Sequence, residues 1–337
     1  MKHLFLATAL VSATCLAQVG ASASMIPTAS RPAVAWKYTR IGDLDGVRAL
    51  TRLSDRLIRG AQPDGIIGIK SLKTLGVRNI LSVEEPDLKE IEAAKEAGIE
   101  IKNVATEYSG FPKPIIDSLV AAYRDLEGTT YVHCHHGKHR GGSAVAIFRM
   151  TFEGFSSEEA IAEMFELGCS PRYKGLYETI SKYRPNPATS HRPVKAKDGL
   201  VNLVEITPQL FRATGGVDET SLRSFKELGI TRVVLVNGTV ETAAKIRAAS
   251  LDCAPLTMPT TLSAMDLSAA RSVIDSTLTG KTLLLASGLE PSSAALAGWR
   301  VLRSKWTLDE AAQEVEAIMG EAGSPLAATL RRTILPK

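Results

Sequence analysis

HCHHGKHRGGS, residues 133–143, decides how this chain is read. It holds four of the chain's six histidines, with Cys134, Lys138 and Arg140 among them and two glycines following. Its flanks say what it joins. TTYVHC before it is rich in β-formers, and SAVAIFRMTF from Ser143 onward is apolar almost throughout, as a buried helix is. A tight loop between a strand end and a helix start aims unpaired backbone N–H groups, and the positive end of the helix dipole, at one point. That point favours an anion. Gly137 permits an unusual backbone angle within the loop.

Working outward, strands and helices alternate. LIR near residue 57 reads as a strand, IIGIKSLKTLG as a helix ending at Gly76, RNILSV as a strand and DLKEIEAAKEAG as a helix ending at Gly98. IEIKNVA is then a strand and PIIDSLVAAYRDL a helix with Pro114 near its start. Past the loop, helices are expected at about Ser157–Leu167 and Leu176–Tyr183. This alternation predicts an α/β fold with a mostly parallel sheet flanked by helices.

The pattern occurs twice. LIRGAQP from Leu57 and LGVRNILSV from Leu75 recur as LFRATGG from Leu210 and LGITRVVLV from Leu228, both offset by 153 residues. GFSSEEAIAEM from Gly154 recurs as KWTLDEAAQEV from Lys305. Matched order at a near-constant offset points to two tandem domains, 36–184 and 200–337. RPNPATSHRPVKAKDG between them is too rich in proline and polar residues for a regular element and reads as a linker, 185–199. Residues 1–23, with a basic start, an apolar run and an A-x-A site ending at Ala23, have the architecture of a cleaved export signal. The expected location is therefore periplasmic or secreted, with no integral membrane segment once the signal is removed.

The composition is ordinary for a globular chain, 45% hydrophobic and 23% charged over 337 residues. A net charge of +4 and 5% aromatic residues argue against a nucleic-acid surface. Without the leader, Cys134, Cys169 and Cys253 remain, an odd number that leaves at least one free thiol. Cys253 reads as a buried strand cysteine and Cys169 as structural, with a Cys134–Cys169 disulfide left open.

Beside a helix N-terminus and several cations, Cys134 would be held as thiolate, the nucleophilic form. Arg140 can fork onto two oxygens of a tetrahedral oxyanion, which lysine cannot. His133-Cys134, five residues and Arg140 resemble the signature of the cysteine-dependent protein tyrosine phosphatase superfamily, and the chain order resembles its compact dual-specificity branch. The resemblance implies two tandem phosphatase-like domains, with nucleophilic attack by Cys134 and a phosphocysteine intermediate. Arg140 and the amides of His135, His136, Gly137, Lys138 and His139 would bind phosphate. It gives His133 a supporting role. No metal or cofactor is expected, because the loop supplies the positive charge. The basic loop favours an anionic phosphorylated partner, either a phosphotyrosine protein or an inositol phosphate. The oligomeric state is not legible.

The sequence departs from the family in three places. The loop expected to carry an aspartate acid reads ATEYSGFPKP. There Glu107 is either the acid or a solvated glutamate, and Ser109 is the other candidate for the aspartate's position. Gly141 stands where a hydroxyl often follows the arginine, which leaves Ser143 as the nearest hydroxyl. In the second copy, Leu285 or Ala286 falls at Cys134 and Pro291 near Arg140, so that copy is expected to be inactive. The alternative to an enzyme is a phosphate-binding pseudophosphatase that recognises a phosphorylated partner without turnover. A zinc or copper site on the histidines is disfavoured, because neighbouring side chains on one short loop diverge.

Overall fold

The structure is a computed structural model that describes residues 38–85, 87–320 and 324–335. The expected export signal, with its cleavage site at Ala23, lies outside the described residues.

The first half builds a six-stranded sheet from β1 (Thr39–Leu44), β2 (Val47–Arg52), β3 (Leu57–Ala61), β4 (Val77–Ser82), β5 (Glu100–Asn103) and β6 (Thr129–Cys134), in the order β1-β2-β3-β6-β4-β5. β3, β6, β4 and β5 run parallel, and β1 and β2 are antiparallel. Helices α1 (Gly65–Thr74) and α2 (Leu88–Ala97) cover one face through a core that includes Ile69, Leu72 and Ile80. Helices α3 (Lys113–Arg124), α4 (Arg140–Phe152), α5 (Ser157–Glu166) and α6 (Lys174–Lys182) cover the other through Leu119, Val132 and Phe148.

Local signals set the boundaries. The Asp87 side chain caps α2 by accepting from Glu90 N–H, and Gly98 closes the helix in the left-handed region at φ 68°. Ser156 and Glu159 form a capping box on α5. From Gly141 to Phe152, α4 is buried on all sides, which explains its apolar sequence.

The second half repeats the topology. Its strands are β7 (Arg192–Pro193), β8 (Val201–Thr207), β9 (Leu210–Thr214), β10 (Arg232–Val236), β11 (Asp252–Leu256) and β12 (Thr282–Ala286), in the order β7-β8-β9-β12-β10-β11. Parallel and antiparallel pairings match the first half strand for strand. Its helices are α7 (Glu219–Leu228), α8 (Val240–Ala248), α9 (Ala264–Thr277), α10 (Leu289–Arg303), α11 (Leu308–Met319) and α12 (Pro325–Arg332). Both halves are α/β units with mixed sheets, parallel at the centre.

Three findings correct the sequence reading. The antiparallel strands β1 and β2 were not expected, and nor was β8. Segment 185–199 does hold regular structure: a single turn of 3-10 helix at Pro187–Thr189 and the edge strand β7. Cys253 is half-buried rather than buried, on edge strand β11, and all three described cysteines are free. Contacts from segment 185–199 and from outside it tie the halves together. Arg192 Nη1 donates to Tyr123 O at 3.1 Å, Arg56 pairs with Glu205 at 2.7 Å, and Arg303 pairs with Glu159 at 2.7 Å.

Candidate active site

Parallel strands deliver their following loops to one edge of a sheet, where ligands usually bind. Cys134 is the last residue of β6, the strand between β3 and β4. It is 1% exposed. A Cβ added to Gly141 would stand 3.6 Å from Cys134 Sγ, so the thiol lies against the first turn of α4. No side chain caps that helix, so its first N–H groups stay open to a ligand.

The loop between Cys134 and Arg140 is shaped by Gly137. Its φ is +67°, and any Cβ there would come within 2.1 Å of Gly60 C. Gly137 N–H donates to Cys134 O at 3.0 Å. The amide expected to join the phosphate-binding set is therefore spent within the loop's own turn. Among the described residues, the amides of His135, His136, Lys138 and His139 have no backbone acceptor.

The side chains of the loop do not act alike. His135 and His136 are exposed with their rings T-shaped at 4.7 Å, and Lys138 is exposed. His139 is turned away from them. Its ring packs on Tyr173 at 4.5 Å, and its Nδ1 accepts from Ser170 N–H at 3.2 Å. Burial, then the positive charges of Arg172, His136 and Lys138, lower its pKa. A neutral ring with Nδ1 as acceptor carries its proton on Nε2. Among the described residues, no three potential metal ligands converge.

Below the loop, His133 and Glu90 are both wholly buried, with Nε2 and Oε1 2.8 Å apart. That is ion-pair distance, but the pair lacks hydrogen-bond alignment, and both atoms have no other partner. Proximity rather than a formed hydrogen bond is thus what the structure supports. Glu90 Oε2 also accepts from Gln62 at 3.4 Å. Ser143 is fully buried, and its hydroxyl donates back to His139 O at 3.3 Å, so it is not a helix-surface residue.

Arg140 is held from three sides. Glu84 takes its Nη2, Thr106 O accepts from Nη1 at 3.4 Å, and the Tyr108 ring lies 4.7 Å from its Cζ. Neither Glu84 nor Tyr108 was singled out in the sequence. Glu84 lies two residues beyond β4, at the same sheet edge as Cys134, and that position was its one available signal. Glu107 is exposed on the loop before α3, paired to Gly110 only through an isolated β-bridge. Arg59 is buried on β3, donates to Leu167 O at 2.6 Å, and has Cys134 and Cys169 within its electrostatic reach. Burial lowers its pKa, opposed by Glu163 and then by the two cysteines.

No family model matches the sequence, and no curated protein matches it. Several solved structures do. P. aeruginosa TpbA is 23% identical, covering 40% of this chain and 84% of its own at a TM-score of 0.35. The core catalytic domain of the PP-IP phosphatase SIW14 from S. cerevisiae is 18% identical, covering 38% and 80% at 0.34. PTPMT1 is 22% identical, covering 38% and 92% at 0.32. Each match takes in about two fifths of this chain.

Proposed function

We propose that the protein is an exported phosphomonoester hydrolase working from its first half. The observation that carries this reading is the placement of Cys134 against the uncapped first turn of α4, with Arg140 six residues on at the same edge. Cys134 Sγ attacks phosphorus, and the bond to the leaving oxygen breaks. Glu107 gives that oxygen its proton. Arg140 and the open loop amides hold the equatorial oxygens as charge builds on them. Water then attacks the phosphocysteine, Glu107 recovers a proton, and phosphate leaves with the thiolate restored. His133 supports Cys134 from below, and Ser143 steadies the loop through His139 O. Exposed His135, His136 and Lys138 favour an anionic substrate surface, either a phosphotyrosine protein or an inositol phosphate.

Two observations favour the second reading, a phosphate-binding pseudophosphatase. Arg140 is occupied by Glu84, and among the described residues no side-chain partner fixes Glu107 toward the thiol.

The test is phosphate release by residues 24–337 under reducing conditions, beside Cys134→Ser. Substrates would be an aryl phosphate, a phosphotyrosine peptide, phosphoinositides and inositol hexakisphosphate. Release should fall by more than about a thousandfold in the variant. Phosphate binding with no release from any substrate would transfer the reading to the pseudophosphatase.

A further inference from the structure

Helix α4 carries a buried ion cluster, and the copy of that cluster on α10 is one carboxylate short. In the first half Arg149 is wholly buried and is held by two glutamates, Glu153 through Nη1 and Glu163 at 2.6 Å. Buried Arg59, on β3, draws on the charge of Glu163 as well. Two guanidiniums thus meet two carboxylates.

The backbone of this corner recurs in the second half. Glu153 N–H donates to Arg149 O at 3.0 Å and Phe155 N–H to the same oxygen at 3.2 Å. Ser304 N–H and Trp306 N–H donate to Arg300 O at 3.0 Å and 3.2 Å. The Phe155 ring lies 4.5 Å from Arg149 Cζ, and the Trp306 ring 4.5 Å from Arg300 Cζ. Ser304 therefore stands in the place of Glu153, and its side chain ends well short of where a glutamate carboxylate would lie. Arg300 is wholly buried. Its Nε and Nη2 bond Glu314, and Nη2 also bonds Ser190 O at 2.9 Å. Its Nη1, the nitrogen whose counterpart holds Glu153, has no acceptor among the described residues. Ser304 Oγ and Trp306 Nε1 are buried and lack a partner there too. Relative to the first half, this corner has lost a carboxylate and gained a hydroxyl and an indole N–H.

The charges confirm the shortfall. Glu314 pairs with Arg300 at 2.9 Å and is also the opposing charge for Arg212 on β9. Arg212 is buried, and with a pKa of about 10 it keeps its charge at neutral pH. Two other carboxylates bond side chains of α10, and arginines compensate both. Glu159 pairs with Arg303 at 2.7 Å, and Asp275, which accepts from Trp299 Nε1, pairs with Arg271 at 3.1 Å. One buried positive charge is left over. A buried charge without its partner is costly.

We propose that the second half binds a small monovalent anion, chloride being the simplest, in the place of the Glu153 carboxylate. Arg300 Nη1, Ser304 Oγ and Trp306 Nε1 would donate to it. The anion would restore from solution the balance that the first half carries in its sequence. Through Arg300 it would also steady Ser190, in the segment between the halves. This site does not depend on the phosphatase reading.

The probe is chloride, titrated into residues 24–337 at constant ionic strength, with gluconate, too bulky for a buried site, as the balancing anion. Urea unfolding reads the folded-to-unfolded ratio. In the parent that ratio should rise saturably, by about tenfold once chloride is about ten times its dissociation constant. Ser304→Glu supplies the carboxylate from the chain and should erase the dependence on chloride. Arg212→Met removes the surplus charge instead, and should cut the chloride-induced rise by about threefold or more even if the glutamate is not accommodated. Loss of the dependence in either folded variant supports the site. A parent indifferent to chloride would mean that solvent satisfies the three donors, and would overturn it. So would a dependence that persists undiminished in both variants, because chloride would then act elsewhere.

Discussion

The two halves carry the same frame and differ at the end of one strand. Leu57 pairs with Thr130 and Leu210 with Thr282, so the registers superpose residue for residue. Cys134 then corresponds to Ala286, which decides between the two candidates, and His133 corresponds to Leu285. Glu84 corresponds to Asn237. In the first half Glu84 engages Arg140, which reaches Thr106 O. In the second, Asn237 bonds both backbone groups of Met258 directly, at 2.8 Å each. What the halves share is scaffold. A buried arginine on α4 or α10 meets a glutamate one helix on, Arg149 with Glu163 at 2.6 Å and Arg300 with Glu314 at 2.9 Å. Since the second half folds around Leu285 and Ala286, the fold does not require the buried His133–Glu90 pair. Burying such groups costs free energy unless they are well partnered. They occur in one half alone, the half where the proposed chemistry would use them.

The strongest way to break this contrast is at Arg140. Arg140→Lys keeps the charge but loses the planar fork. Turnover should fall by about a hundredfold to a thousandfold, while thermal unfolding stays close to that of the parent. Steady-state kinetics and a melting curve check both. Unchanged turnover would mean that the first loop is as silent as the second.

Glu84→Gln sharpens the contrast less drastically. The substitution removes the charge that orients the guanidinium and leaves its shape. kcat/KM should drop by about tenfold, mainly through KM, since the arginine must then be ordered by substrate. A gain in activity would instead show that Glu84 competes with substrate for Arg140.

Much of this arrangement could be read from the residues. The loop was legible because Cys134, Gly137 and Arg140 act through spacing along the chain, and the duplication because Leu75 and Leu228 head the same pattern. Strands β1 and β2 were not. Thr39–Leu44 is half-exposed, and its Gly42 and charged residues carry no clean alternation. Proline-rich 185–199 concealed β7 because its two residues gain their strand only from β8. Glu84 and Glu90 were invisible for a related reason. A glutamate after a strand or in a first helical turn is ordinarily solvated, and only tertiary packing turns these two inward.

Buried arginines one strand over offer a finer comparison. Arg212 is the counterpart of Arg59. It is 2% exposed, it donates to Ser293 Oγ at 3.4 Å, and burial pushes its pKa down to about 10 against the opposing charge of Glu314. With the charge poorly repaid, Arg212→Met should raise stability by about 1 kcal/mol or more, read from urea unfolding. Arg59→Met should instead lower activity, because Arg59 holds Leu167 O at 2.6 Å and lies by Cys134.

The smallest expected effect separates two histidines, one in each setting. His139 sits in the loop from Cys134 to Arg140 and His191 beside β7. Burial is the main cause that lowers both pKa values. For His191, Arg300, Arg212 and Arg124 add to it against Glu314. A histidine whose folded pKa is depressed binds its proton more readily when unfolded. Its contribution to stability is complete above the unfolded value of about 6.5 and is lost as pH falls through that value toward the folded one. The urea midpoint should therefore drop between about pH 7.5 and about pH 5.5, and His191→Gln should flatten part of that slope. His139→Gln should flatten another part and also alter kcat, because His139 belongs to the loop that ends at Arg140 and its ring anchors that loop on Tyr173 at the start of α6. An identical pH slope in the parent and both variants would show that neither ring is held neutral by its surroundings.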